Sequence, residues 1–303
     1  MLGYSARTAA RMAHHTLDYV TDVAHSGMGN AATLVMNGLG SATSSAVDHG
    51  QDAWADLDQW LHAEEPERES PIPDSVLPID PLSMLLSKDR LNEDEIAAAR
   101  AFIVELPSEE QATRFAELQT KVEYSNQRNN ESDSEGSSGG TCSLTSLAMC
   151  LKYLGVPNPN PAMQYEDALD QIRIEHDLGP ITTAATWGKI AQHLGHDMVE
   201  IPGGVYDRTW WMTVLGDEYL NAGYGVLASI QGHVVRLQGV TSEGVVSDDP
   251  YGKSVLGQGK DRSWDGLNTD AADGTHEENV GEDNVWPWES VEAFEFKYFR
   301  AFK

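Results

Sequence analysis

The chain has 303 residues, of which 48 are acidic and 20 basic, and its formal net charge is −28. This length supports one large domain or two smaller ones, and a hydrophobic fraction of 40% is enough for a buried core. The excess of negative charge repels phosphate backbones, so nucleic-acid binding is not expected. Only eight of the basic residues are lysine, a balance that suits a salty environment or an ordinary acidic protein.

Residues 1–63 are predicted to form a helical N-terminal arm, because they contain no proline. The stretch Val23–Val47 has no charged side chain and places small residues four apart, as at Gly38, Ala42 and Ala46. This spacing lets helices approach closely, in a membrane or in an assembly. Several polar side chains in the stretch make it a poor lipid-facing segment. Docking of a helix onto a partner, such as other subunits of an assembly, or onto its own neighbours is therefore the stronger interpretation, and membrane contact is the weaker one.

The first residues are polar and lack the apolar core of a secretory signal. We therefore expect a cytoplasmic or virion-associated protein, in the second case with delivery to the host envelope. Residues 64–82 are predicted to be a linker, since Pro66–Pro81 contains five prolines in sixteen residues. Proline fixes φ and removes a hydrogen-bond donor, which favours extended chain.

Short helices are predicted over residues 83–120. Asn92 with Glu95, and Ser108 with Gln111, each fit a capping box, in which a polar N-cap and a residue three positions later bond each other's backbone N–H groups. A larger domain is predicted over residues 121–303.

The helix that contains both cysteines of the chain opens this domain. Cys142 follows a Gly-Gly pair at the predicted helix start, and Gly155 is a natural helix stop. Cys150 lies eight residues later, about 12 Å away along the helix, whereas a disulfide requires Cα atoms within about 7 Å. Unpaired N–H groups at a helix start lower the pKa of a thiol, so Cys142 is a candidate nucleophile. Cys150 is predicted to be a small core residue.

Short β-branched runs separated by glycine turns follow a second predicted helix over 184–194, and they predict an antiparallel sheet. His233 opens one of these runs. The hairpin that follows brings Asp249 roughly opposite His233, whereas Asp248 alternates to the other face and is the weaker candidate. The acidic, glycine-rich stretch Gly257–Asn284 is predicted to be a solvated surface loop.

Three motifs in this order, "YSNQRNN", "GGTCSLTSLAMCLKYLGV" and "GHVVRLQGVTSEGVVSDDPYG", resemble those of the C39-like (papain-like) cysteine peptidases. The resemblance covers about residues 122–302 and implies an α+β fold, with a nucleophile helix packed on an antiparallel sheet. It implies Cys142 as nucleophile, His233 as general base, Asp249 as the group that orients the histidine, and Gln127 as an oxyanion-hole donor. It departs from the family pattern at the acidic insert Glu131–Ser138, because negative charge near a thiolate is unfavourable.

Other constellations have simpler interpretations. His193 and His196 have a spacing that suits a metal on a helix, but Gly195 is predicted to end the helix between them. The aromatic residues Trp210, Trp211, Trp286 and Trp288 are interpreted as core rather than as the lining of a cleft. No metal and no other cofactor is expected.

Two classes of function remain open at this stage. The first is a cysteine hydrolase that cuts a peptide or protein of a cell envelope. The second is a catalytically inert structural or adhesion module, anchored in an assembly by residues 1–63. Leader-peptide processing at a double glycine is disfavoured, because it normally accompanies a transporter segment.

Overall fold

The computed structural model describes residues 80–130, 141–266 and 280–303. The predicted arm over 1–63 and the insert Glu131–Ser138 lie outside the described residues. Residues Ile79–Lys303 form one compact unit. Among the described residues, no helix has the length and apolar character that a bilayer crossing requires.

The α-helices are short and most of them precede the sheet. In chain order they are α1 (Pro81–Leu86), α2 (Glu93–Val104), α3 (Ser108–Gln119), α4 (Cys142–Tyr153), α5 (Tyr165–Glu175), α6 (Ala184–His193) and α7 (Trp288–Ala293). A helical turn, Arg208–Trp210, leads into a π-helix, Trp211–Leu220, that the sequence pattern did not predict.

In the described part of the chain the strands form one antiparallel sheet of six and one ribbon of two. They are β1 (Met198–Glu200), β2 (Gly225–Ile230), β3 (His233–Val240), β4 (Gly244–Asp248), β5 (Ser254–Leu256), β6 (Arg262–Trp264), β7 (Asn284–Pro287) and β8 (Tyr298–Phe302). The large sheet has the order β1-β8-β2-β3-β4-β7, and β5 pairs with β6. The predicted combination of helices and antiparallel sheet is thus present, in agreement with an α+β fold.

Helix α4 is the centre of the unit, and all twelve of its residues are buried. It packs against β2 and β3 on one side and against α2, α5 and α6 on the others. Gly155 ends the helix with φ +76°, and a Cβ there would lie 2.8 Å from Ala97, so both the turn and the close packing require glycine. The predicted start and stop of this helix are confirmed.

Alternate residues of the sheet face two hydrophobic clusters. On β2, Leu227 packs with the α4 layer, whereas Val226 and Ala228 pack with a second cluster that contains the four predicted core tryptophans. Those tryptophans are at most 9% exposed. Burial of this kind contributes about 25 cal/mol per Å² of apolar surface, so both faces of the sheet stabilise the position of β3 and β4.

The two predicted capping boxes have different outcomes. Asn92 and Glu95 form theirs at the start of α2. The box at Ser108 is wrong, because Pro107 is the N-cap residue and α3 has no side-chain cap there. The Gln111 amide donates instead to the carbonyl of Leu106 at 2.8 Å. That contact satisfies a carbonyl beyond the end of the preceding helix, which would otherwise lack a partner.

Two boundaries differ from the sequence interpretation. Helix α1 begins at Pro81, inside the predicted linker, because proline is favoured at the first helical position and Asp80 caps the helix. Ile96 and Leu118 of the predicted short-helix segment are buried in the same cluster as α4, so residues 83–120 pack with the larger domain. Strand β6 lies within the stretch Gly257–Asn284 that was predicted to be a loop, and its partner β5 ends at the residue before that stretch.

Candidate active site

Cys142 is the first residue of α4. Its neighbour Thr141 is the N-cap and, within the described chain, makes no side-chain cap. The Thr141 hydroxyl instead accepts a hydrogen bond from the Asn130 amide, so the last described residue before position 131 contacts the N-cap of α4. The positive end of the helix dipole therefore faces the thiol. Cys142 is 9% exposed.

His233 is the first residue of β3 and follows a tight turn. Gln231 and Gly232 have φ values of +43° and +75°, so both turn residues are left-handed, as a two-residue hairpin turn demands. Ile230 pairs with His233 across the turn. The Ser146 hydroxyl of α4 donates to the Val234 carbonyl at 2.9 Å. The turn and this bond fix the imidazole at the sheet end that lies beside the first turn of α4.

The structure brings Cys142, His233 and Asp249 together. The Nε2 atom of His233 lies 2.6 Å from Oδ1 of Asp249, and the two side chains are 5% and 0% exposed. The His233 imidazole and the Cys142 thiol also interact closely enough for each to shift the pKa of the other. Because Nε2 faces the carboxylate, Nδ1 is the nitrogen left to face sulfur. The predicted approach of His233 and Asp249 through the hairpin is therefore what the structure shows.

The pKa values of Cys142 and His233 both depart from their ordinary values. Burial alone raises the pKa of the Cys142 thiol, but the hydrogen bond and charge of His233 outweigh burial and bring the net pKa below its ordinary value. Burial lowers the pKa of His233, but the charge and hydrogen bond of Asp249, then those of Cys142, raise it to about 9. Both shifts favour a thiolate beside an imidazolium.

The Asp249 carboxylate and its backbone are held from four directions. The Tyr251 N–H donates to Oδ1 at 2.9 Å, and the Trp264 indole N–H donates to Oδ2 at 3.3 Å. The Asp249 N–H donates to the Gly281 carbonyl at 2.8 Å, and its carbonyl accepts from the Tyr124 hydroxyl at 2.7 Å. Charge-assisted contacts of this kind fix the orientation of the carboxylate toward the imidazole.

Trp264 is a site residue that sequence reasoning missed. Its ring centroid lies 5.7 Å from that of His233, edge-on at 82°, and 4.7 Å from that of Tyr251. The two aromatic rings exclude water from the contact between His233 and Asp249, which strengthens it. Trp264 lies on β6, within a stretch of loop composition, and no local pattern marks it as a partner of Asp249.

Gln127 begins a 3₁₀ turn, Gln127–Asn129, and is 1% exposed. Its backbone N–H donates to the carbonyl of Pro250 at 2.8 Å, next to Asp249. Three residues later, Asn130 contacts Thr141. The segment that contains Gln127 is thus attached at one end to the carboxylate loop and at the other to the residue that precedes Cys142.

Asp248 belongs to a different network, in line with its weaker ranking. It forms a buried ion pair with Arg236 and accepts a hydrogen bond from Gln238. Arg236 also donates to the Gln119 carbonyl at 2.8 Å. Cys150 lies near this network and is 0% exposed. Burial raises its pKa to about 12, so its thiol stays protonated, as a core cysteine does.

Among the residues that the structure describes, no group of three or more His, Cys, Asp or Glu side chains is placed to hold a metal ion.

The fold and these contacts define a thiol site of the kind found in cysteine peptidases. Residues 119–270 match the sequence profile of the Peptidase_C39 like family. This match spans half of the chain, and the chain belongs to that family. Searches of curated proteins and of solved structures returned no significant match.

Proposed function

We propose that the chain is a cysteine peptidase in which Cys142 is the nucleophile, His233 the general acid and base, and Asp249 the group that orients the imidazole. Family membership supports peptidase activity, and the observation that carries these roles is the buried cluster of Cys142, His233 and Asp249, in which His233 contacts Asp249 at 2.6 Å and lowers the pKa of Cys142. Without the neighbouring carboxylate, burial would leave the imidazole neutral and the thiol protonated.

In the first half of the reaction the Cys142 sulfur attacks the carbonyl carbon of the substrate, and the proton of the thiol resides on His233. The tetrahedral oxyanion then collapses, the carbon–nitrogen bond breaks, and His233 returns the proton to the leaving amine. In the second half, His233 takes a proton from water, whose oxygen attacks the thioester. The acid product leaves and the Cys142 thiol is restored.

The oxyanion needs hydrogen-bond donors that are already in place. We assign this role to the backbone N–H of Cys142, at the open end of α4, and to the side-chain amide of Gln127. Support comes from the backbone bond of Gln127 to Pro250 and from the contact of Asn130 with Thr141, which attach the segment to both sides of the site. Loss of one such donor typically slows the reaction by about 10²- to 10³-fold.

The direct test uses the full-length chain and its Cys142→Ala variant on a library of peptides and on isolated cell-envelope proteins and cell-wall peptides. New amino termini identified by mass spectrometry with the wild-type chain, and lost with the variant, are the expected result. Cleavage that persists in Cys142→Ala contradicts the proposal. The same experiment identifies the scissile bond.

A second candidate, an inert structural or adhesion module, is favoured by one observation: Cys142 is only 9% exposed. Alkylation separates the two. A peptidase thiol reacts with iodoacetamide at pH 6 faster than Cys150 and faster than a free thiol, because its pKa is lowered. Slow and equal labelling of both cysteines favours the inert module.

We propose further that residues 1–63 attach the peptidase to other subunits of an assembly, such as a virion that delivers it to a host envelope. The uncharged stretch Val23–Val47, with its small residues four apart, supports this arrangement. A purified full-length chain that is monomeric by light scattering at micromolar concentration, with the arm open to proteolysis, contradicts it.

A further inference from the structure

Strand β6 and the turn that joins it to β5 form a wall of a polar cleft beside the candidate active site. The cleft has a volume of about 540 Å³. Two of its lining residues place it beside the proposed catalytic histidine. Its lining consists of Gln231, Gln258, Lys260, Asp261, Arg262 and Trp264. Gln231 lies two positions before His233, and Trp264 contacts both His233 and Asp249.

Arg262 has donor capacity that the described residues do not use. Its Nε and Nη2 atoms donate to the Gln231 carbonyl at 3.4 and 3.3 Å, and its guanidinium lies 4.3 Å from the centroid of the Trp264 ring. Its Nη1 atom is buried and has no hydrogen-bond partner in the described part of the chain. A buried donor without a partner costs free energy, and a group that arrives with a ligand removes that cost.

Lys260 adds a second cation at the same cleft. Its nearest carboxylate is that of Glu295 at 3.8 Å, and the two side chains are 61% and 67% exposed. This distance is too long for a hydrogen bond, and solvent screens the pair. Among the described lining residues Asp261 is the one acidic residue, so this part of the lining has a charge of +1 from Lys260, Arg262 and Asp261 in a chain whose net charge is −28.

The cleft is close enough to the thiol for their charges to interact. Burial lowers the pKa of Arg262, and the charges of Asp249 and of the Cys142 thiolate oppose that shift. The ribbon is also attached to the site by the bond from the Trp264 indole to Asp249 at 3.3 Å. A substrate whose scissile carbonyl lies at Cys142 therefore has the cleft within reach of its adjoining residues.

We infer that this cleft is a substrate subsite that binds a carboxylate of the peptide through Arg262 and Lys260. The inference rests on the proposed peptidase function and narrows its substrate class to peptides with an acidic group next to the scissile bond. The carboxylate belongs either to an Asp or Glu side chain or to a free C-terminus. Arg262 suits this ligand because a guanidinium offers several donors in one plane, and Lys260 supplies a point charge at the cleft mouth.

The test uses peptide electrophiles that differ by one charge. Chloroacetyl tripeptides place the electrophile on the amino side, and tripeptidyl chloromethyl ketones place it on the carboxyl side. Each is made with Glu or with Gln beside the electrophile, and the chloroacetyl set also with a C-terminal acid or amide. The thiolate sulfur of Cys142 displaces chloride and forms a thioether, and intact-protein mass spectrometry gives the rate.

We expect the acidic form of one probe pair to react about tenfold faster than its neutral twin, as one charge-assisted contact predicts. Lys260→Gln and Arg262→Gln should each reduce that ratio toward one. Lys189→Gln, which removes an exposed lysine outside the cleft, should leave it unchanged. A preference for Glu over Gln assigns the side chain as the source, and a preference for acid over amide assigns the C-terminus.

Equal rates for the acidic and neutral members of every pair overturn the subsite. Because Arg262 also supports the turn before His233, Lys260→Gln is the decisive variant if Arg262→Gln misfolds. The neutral probes report on the proposed function separately: if they alkylate Cys142 no faster than Cys150, that function fails. In that case calorimetry of the uncapped peptides with Cys142→Ala decides the subsite, and equal affinity for Glu and Gln peptides overturns it.

Discussion

The two cysteines of α4 lie in the same buried helix but in opposite chemical surroundings. Cys142 is at the helix start and meets the buried pair of His233 and Asp249, whereas Cys150 is inside the helix and lies near the buried pair of Arg236 and Asp248. Each thiol therefore has one side chain that can carry a positive charge and one carboxylate close to it. Their pKa values nevertheless shift in opposite directions.

The opposite pKa shifts of the two thiols follow from the different cations beside them, His233 and Arg236. His233 can accept the proton of the thiol through a hydrogen bond, so the pair exchanges a proton and gains an ion pair. The guanidinium of Arg236 has no acceptor for the thiol proton, and its donors are directed to Asp248 and Gln119. Proximity to a cation is thus insufficient to activate a thiol, and a titratable partner in direct contact is required.

The largest expected effect is the removal of each sulfur in turn. Cys142→Ala should abolish cleavage, with a fall in kcat of at least about 10⁴-fold, since no nucleophile remains. Cys150→Ala should keep kcat within about twofold and lower the free energy of unfolding by about 1 kcal/mol, because it leaves a small cavity. Steady-state kinetics and urea unfolding measure the two quantities. Equal losses of kcat in both variants would contradict the distinction between the two cysteines.

The adjacent carboxylates give the second comparison. Asp249→Asn should lower kcat by roughly 10²- to 10⁴-fold, because it removes the charge that orients His233 and keeps it protonated, and above about pH 9, where the wild-type chain has lost that proton, it should change stability little. Asp248→Asn should do the reverse, at a cost of about 3 kcal/mol in unfolding free energy, because it leaves Arg236 buried without its counter-charge. Kinetics corrected for the folded fraction separate the two. A stable but inactive Asp248→Asn would reverse the assignment.

Much of this comparison was accessible from the sequence. The helix start at Cys142, the stop at Gly155 and the hairpin that joins His233 to Asp249 are local patterns, in which period, turn residues and glycine positions determine the structure. Asp248 and Asp249 could be ranked because side chains alternate along a strand.

The parts that could not be predicted depend on contacts between distant segments. Strand β8 lies between β1 and β2, an order that no local pattern encodes. The Trp264 side chain reaches Asp249 only because the three-residue strands of the ribbon fold back over the turn before His233. In the sequence, Trp264 lies in a polar, glycine-rich stretch, which is typical of a solvated loop.

The pH dependence of stability and of kcat/KM tests the pair of Cys142 and His233 directly. Because the pKa of His233 is raised to about 9, the stability that its proton contributes is present below its ordinary pKa of about 6.5 and is lost as pH rises through about 9. The reaction also needs that proton for the leaving amine, so kcat/KM should fall about tenfold per pH unit above pH 9. A pH–rate profile checks this limb.

In Asp249→Asn, the alkaline limb of the pH–rate profile should move toward pH 6.5, because the charge that raises the pKa of His233 is gone. Iodoacetamide alkylation of Cys142 in this variant should need a higher pH than in the wild-type chain, since a neutral imidazole stabilises the thiolate less. Cys150→Ala should leave both profiles unchanged. If the alkaline limb of the pH–rate profile is the same in Asp249→Asn as in the wild-type chain, a group other than His233 titrates there.

The smallest expected effect concerns two indoles that each donate one hydrogen bond. The Trp264 indole donates to Asp249 at 3.3 Å, and the Trp286 indole donates to the Ser254 hydroxyl at 3.1 Å within the core. Trp264→Phe keeps a ring beside His233 but removes the bond, so kcat should fall by about three- to tenfold, as loss of one weak charge-assisted bond predicts. The alkaline limb should also move to lower pH, because the Asp249 carboxylate is held less firmly against the imidazole.

Trp286→Phe should lower the unfolding free energy by about 1 kcal/mol and leave the pH profile unchanged. A purely structural Trp264 would resemble Trp286 in both measurements, so the pH profile is the readout that decides whether the ribbon positions Asp249.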